Sequence, residues 1–216
     1  MLAQRALLEF ELGNFVEGRS YIDRLEAVVR LIPEGPTYAH TLLAGLAPVA
    51  SRIAGADQGL AAASWAAQVV LDSPSVTPLM AVCARFAPAM TALERGDVAL
   101  AREQYEAINT TPGADLMLFQ GIDPEDVLGL LAQTAGDNFQ AEAHFEQSLV
   151  FCRNAGYRPN LAWTCCDYAD ILLQRNNDGD RAKAMSLLDE SLAISSELGM
   201  KPLMERVLSR REILGA

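Results

Sequence analysis

Histidine is almost absent from this 216-residue chain, which has only His40 and His144, and its four cysteines (Cys83, Cys152, Cys165, Cys166) form no CxxC pair. Zinc needs clustered imidazole and thiolate ligands, so no metal centre is expected. The thiols read as buried and reduced, as in a cytoplasmic protein. Positive charge is also scarce: 17 Lys and Arg against 28 Asp and Glu leave a net charge of −11. That balance argues against nucleic acid as the main partner, because phosphate binding needs clustered cations that displace counterions. Aromatics are only 6% of the chain. Ala and Leu carry the apolar content instead, which favours helix over strand.

Long apolar runs are lacking too. The uncharged stretch Gly35–Ser51 has 17 residues and is interrupted by Pro36, His40, Gly45 and Pro48. A membrane-spanning helix wants about 20 predominantly apolar residues, so this segment reads as a buried helix. The N-terminus has no basic head, and Glu9 and Glu11 break its apolar content, so no signal peptide is expected. There is no GxxxxGK[ST] phosphate loop, no motif around a nucleophile and no visible helix-turn-helix unit.

What is present is a repeat. A turn recurs as Gly13-Asn14, Gly96-Asp97, Gly136-Asp137 and Gly179-Asp180, with Gly55-Ala56-Asp57 as a variant. Glycine ends one helix in the left-handed conformation, and Asp or Asn caps the amides that open the next. A small residue follows each turn: Gly18, Ala61, Ala101, Ala141 and Ala184, spaced by 43, 40, 40 and 43. One turn further on stand Ile22, Trp65, Tyr105, Phe145 and Leu188, all bulky. Small then large, one turn apart, lets a preceding helix approach and fills the gap to the next pair.

The pattern predicts first helices at 2–13, 37–54, 77–95, 124–135 and 160–175, and second helices at 15–31, 58–71, 97–109, 138–155 and 180–198. The repeats are 1–33, 36–73, 76–111, 122–156 and 158–198, with a cap at 201–214. Gly35, Gly156 and Gly199 lie where helices should stop, and Asp123-Pro124 is a helix start. The cap helix has Leu203, Met204, Val207 and Leu208 on an apolar side and charge on the other. The expected architecture is all-α: a right-handed solenoid of five antiparallel helix pairs plus that cap, each pair touching only its neighbours. The first repeat starts almost at Met1 with no cap before it, which points to a fragment of a longer protein or to a partner covering that end.

These residues resemble tetratricopeptide repeats. In the fourth repeat Leu128-Gly129 precedes Ala141 at that family's spacing, with Phe145 four residues on. The run 156–208 is similar to the end of the helical-repeat regions of large bacterial signalling ATPases, which carry adenylate-cyclase or LuxR-type DNA-binding domains. The resemblance implies a non-catalytic protein-interaction or regulatory scaffold, the sensory or coupling arm of such a system. Its partners would be a protein or peptide in the concave groove and upstream ATPase or cyclase domains, and neither membrane nor nucleic acid. No cofactor is implied, and ATP binding, cyclisation and DNA binding transfer to no residue here.

In this repeat class first helices line the concave face. By register that face takes Cys83, Phe86, Met90, Asp126, Leu130, Gln133, Trp163, Cys166 and Asp170. Apolar residues mixed with acids suit an amphipathic segment bearing some basic residues. The alternative is a small-ligand sensor whose cavity is ringed by Trp163, Phe86 and Met90. Asp167 and Asp170 share a helix face and read as solvated or groove-lining acids. His144 reads as exposed, and His40 as a satisfied polar group at a helix start. From Gly35 to Ala84 only Arg52, Asp57 and Asp72 are charged. That segment is either deeply packed or a contact patch.

Overall fold

A computed structural model describes residues 1–32, 36–111 and 123–215. These residues form α1 (Leu2–Glu11), α2 (Phe15–Arg30), α3 (Tyr38–Ala54), α4 (Leu60–Leu71), α5 (Pro78–Arg95), α6 (Val98–Asn109), α7 (Pro124–Thr134), α8 (Asn138–Ala155), α9 (Arg158–Arg175), α10 (Asp180–Leu198) and α11 (Lys201–Gly215). No strand occurs among the described residues. The protein is all-α, and each expected helix is present with its edges shifted by no more than two residues. The expected stop at Gly35 and the repeat edges at 33 and 122 lie outside the described residues.

Local chemistry explains the edges. Asp97 accepts hydrogen bonds from the amides of Ala99 and Leu100 at 3.1 Å each, and Asp137 accepts from Gln140 at 3.0 Å. Asp123 accepts from Glu125, with Pro124 in the first turn. Gly96 (φ 61°) ends α5 in the left-handed region that a side chain disfavours, and Asn176 (φ 51°) does the same for α9 without a glycine. Two turns depart from the expected scheme. The Asn14 amide donates to Glu9 instead of capping α2. Gly179 is the cap residue of α10, so Asp180 enters the helix and pairs with Arg175 at 2.7 Å.

The small-then-large rule is explicit at two glycines. A Cβ on Gly18 would stand 2.7 Å from the Phe10 ring, and one on Gly129 would stand 2.8 Å from the Phe145 ring. Both helices approach their neighbours through the missing side chain. The rule slips in α4, where Ala61 is exposed and Trp65 only half-buried. Asp57 accepts from the amides of Gly59 and Leu60, and left-handed Gly59 delays the helix. The packed face therefore moves to Ala62, Ala63, Ala66, Ala67 and Val70. Trp65 lies instead against His40 (5.5 Å) and under Arg30 (4.7 Å).

α3 and α5 share a further signature. Pro48 and Pro88 sit inside these helices, and each removes one backbone donor. Three residues on, the Ser51 and Thr91 hydroxyls donate to the Ala47 and Ala87 carbonyls at 2.9 Å. Almost all of α3 is buried, from His40 through Ser51 with only Val49 partly exposed. Deep packing thus accounts for the low charge of α3, while Asp72, Pro74, Ser75, Thr77, Pro78 and Leu79 in the same low-charge stretch are exposed. Among the described residues no helix is long and apolar enough to cross a membrane.

Consecutive helices pack on one another, and α1, α3, α5, α7, α9 and α11 also touch in succession. The expectation of neighbour-only contacts fails at the end. α11 comes back against α1 and α3, with Lys201 and Pro202 beside Gly13. Its apolar side buries Leu203 and Val207, while Leu208 is exposed. Its charge does not all face solvent, because Arg206 and Arg210 reach α9.

Candidate functional site

The odd-numbered helices bring polar groups to one place. α9 carries Trp163, Asp167 and Asp170 at one-turn spacing, and α7 offers Asp126 and Leu130 in the same relation. Glu11 is the last residue of α1, and Arg52 lies in the last turn of α3. These groups meet across long sequence distances. The Trp163 indole N–H donates to both Glu11 carboxylate oxygens at 3.0 and 3.1 Å. Asp167, buried completely, pairs with Arg52 at 2.5 Å and Arg206 at 3.2 Å. Arg206 and Arg210 also hold Asp170. The guanidinium groups of Arg52 and Arg206 lie 5.3 and 5.8 Å from the Trp163 ring centre.

Beside this cluster is a recessed cavity of about 40 Å³, lined by Glu11, Arg52, Met90, Asp123, Asp126, Leu130, Trp163 and Thr164 among others. Volume of that order holds a few waters or one small polar head group. A wider groove of about 320 Å³ adjoins it, sharing Arg52 and Met90 and edged by Asp57, Leu60, Leu93 and Glu94.

The charges do not balance. Arg52, Arg206 and Arg210 are engaged by Asp167 and Asp170, whereas no ion pair reaches Glu11, Asp123 or Asp126 among the described residues. Asp123 is partly satisfied, accepting from Ser148 and, at 3.4 Å, from the Cys152 thiol. Asp126 is only 8% exposed, and its Oδ1 has no hydrogen-bond partner. Burial pushes all three acids up. Glu11 rises to about 7 although Trp163 and Arg52 pull the other way. Asp123 rises, and Asp126 lies well above the carboxylate range, with Asp167 adding like-charge repulsion to its desolvation.

Four of the residues placed on the inner face by register, Met90, Asp126, Leu130 and Trp163, do line this one cavity. The others do not. Phe86, Cys83 and Cys166 are fully buried and offer no surface, because neighbouring helices cover the positions expected to face an open groove. Gln133 pairs with Gln174 at 2.9 Å on an exposed side, and Asp170 is tied to α11. Asp167 is a buried ion-pair partner and not a solvated acid. His144 is buried as well: its ring nitrogens meet Glu125 at 2.7 Å and the Tyr105 hydroxyl at 2.9 Å, since α8 turns it toward α6 and α7. His40 closes a capping box with Thr37, as its place at a helix start implied.

Sequence reasoning missed Glu11 and Arg52 as members of this site. Arg52 had a signal, being the lone charge inside an otherwise apolar α3. Glu11 had none, since its partner Trp163 stands 152 residues away. The four cysteines are buried and form no disulfide, and burial pushes Cys83, Cys152 and Cys166 up to about 12, far from nucleophilic thiolates. No group of three His, Cys, Asp or Glu side chains among the described residues is placed to hold a metal ion. Comparisons with protein-family models, curated proteins and solved structures found no match.

Proposed function

We propose that this chain is a non-catalytic regulatory module: a tetratricopeptide-like, right-handed solenoid of five helix pairs and a cap that couples occupancy of its inner face to attached or partner domains. The protein would work in the bacterial cytoplasm as the sensory or coupling arm of a signalling ATPase. The observation that carries this reading is the tie between distant helices, in which Trp163 of α9 bonds to Glu11 of α1 while Asp167 bonds to α3 and α11. A group entering beside Trp163 must bear on the relative placement of four helices at once.

A second reading has its own support. The cavity holding Trp163 and Met90 is recessed, which suits a small ligand or a single projecting side chain better than a long peptide laid in a groove. Trp65→Phe leaves Trp163 as the sole indole, so its emission reports on the cavity. A partner domain or ligand using the inner face shifts that emission and loses affinity on Trp163→Phe. Tight binding that leaves both unaffected places the binding surface elsewhere and overturns the reading.

A further inference from the structure

The occupant of the inner cavity can be specified by its chemistry. Five acids and three arginines meet there, and the arginines pair with Asp167 and Asp170, Arg206 through its terminal nitrogen with Nε left without a partner. The opposite side is acidic, formed by Glu11 from α1 and by Asp123 and Asp126 from α7. Asp126 Oδ1 is more than nine-tenths buried, lines the cavity and bonds to nothing. An unpaired buried carboxylate oxygen is costly and calls for a donor. The rest of the wall mixes apolar Val49, Ile53, Met90, Val127 and Leu130 with Trp163, Asn160, Thr164 and the Arg52 guanidinium, which Asp167 already holds.

We propose that the inner cavity binds a protonated aliphatic amine, with its ammonium donating to Asp126 and Glu11 and its methylene stem lying along Met90 and Leu130. The inference rests on the reading that the inner face takes a ligand. An ammonium offers three donors on a compact head, which suits acceptors arriving from two helices and a volume of about 40 Å³. An anion would meet three acids, Glu11, Asp123 and Asp126, and the one guanidinium in the wall, Arg52, is already paired with Asp167. A neutral hydrocarbon would leave Asp126 Oδ1 unpaired. A longer amine has room to extend into the adjoining groove, whose edge carries Asp57 and Glu94. The same chemistry is supplied by a free amine or by the lysine side chain of a partner.

The test uses the full chain carrying Trp65→Phe at pH 8, where Glu11 is ionised, and follows Trp163 emission. The probes are butylamine, 1,4-diaminobutane, butan-1-ol, butyrate and a short alanine peptide with one lysine. The amines are expected to saturate the signal, and butan-1-ol and butyrate are not. Asp126→Asn, which removes a destabilising buried acid and should fold, is expected to weaken amine binding by about tenfold or more, the loss associated with a charged hydrogen bond. Leu130→Lys places an ammonium one helical turn from Asp126 and should block added amines while the protein melts no lower than a Leu130→Met control. Binding by the peptide alone assigns the amine to a partner's lysine, and binding by butylamine alone assigns it to a free ligand. Butan-1-ol binding as well as butylamine, or Asp126→Asn binding amines unchanged, overturns the amine while leaving an occupied cavity. No probe binding, with Leu130→Lys no different from Leu130→Met, overturns both.

Discussion

The exposed surface and the buried interior of the molecule use ion pairs in opposite ways. Outside, Arg153–Glu190, Arg158–Glu197 and Lys183–Glu146 join neighbouring helices at 2.5–2.6 Å with both partners a third or more exposed. Such pairs cost little to form and little to lose. Inside, Asp167 has no exposed side-chain surface and holds two arginines. There desolvation is large, and removal of one partner strands the others. The outer pairs decorate a register that packing has already set, while the inner group depends on helices far apart in sequence being brought together correctly.

Four substitutions sharpen this contrast. Asp167→Asn, which leaves Arg52 and Arg206 without their shared carboxylate, is expected to lose about 3–5 kcal/mol in urea unfolding. A loss under 1 kcal/mol would erase the distinction between inside and outside. Glu11 acts with the opposite sign. Its carboxyl goes from 4.5 to about 7 on folding, so the folded chain holds that proton more tightly than the unfolded one. The Glu11 contribution to stability therefore falls as pH rises through this window and levels off above it. Glu11→Gln should be more stable than the parent by about 3 kcal/mol at pH 8, with the gap closing toward pH 4.5, as measured by denaturation at both ends.

Gly129→Ala tests packing without charge. The Cβ clash with Phe145 is worth about 1–3 kcal/mol, and the gain in helix propensity returns about 1 kcal/mol, so a net loss near 1 kcal/mol is expected in the same assay. The smallest effect belongs to the outer surface. Glu190→Gln should change stability by less than about 1 kcal/mol, and the difference should shrink further in 1 M salt.

The all-α class and the helix positions were legible because their signals are local. Glycine, acid and small residue recur within a few positions of each helix start, and Asp97, Asp123 and Asp137 cap where their spacing placed them. Ala61 shows the limit of that reading, since a shifted cap at Asp57–Gly59 turned α4 by a residue that composition could not reveal in an alanine run. The repeat register also found Met90, Asp126, Leu130 and Trp163 as neighbours. It erred on Phe86 because it assumed an open inner face. The Arg52–Asp167 pair spans 115 residues, and no spacing rule connects two such positions. Only the way α11 folds back places Arg206 on the same carboxylate.

The return of α11 also orders events during synthesis. Asp167 and Arg206 are 39 residues apart, and at about 5–20 residues per second the ribosome separates their emergence by about 2–8 s. Throughout that interval the nascent α9 presents an acid that its later guanidinium has not yet reached. Helices α1 to α10 can assemble vectorially, but the electrostatic keystone arrives with α11.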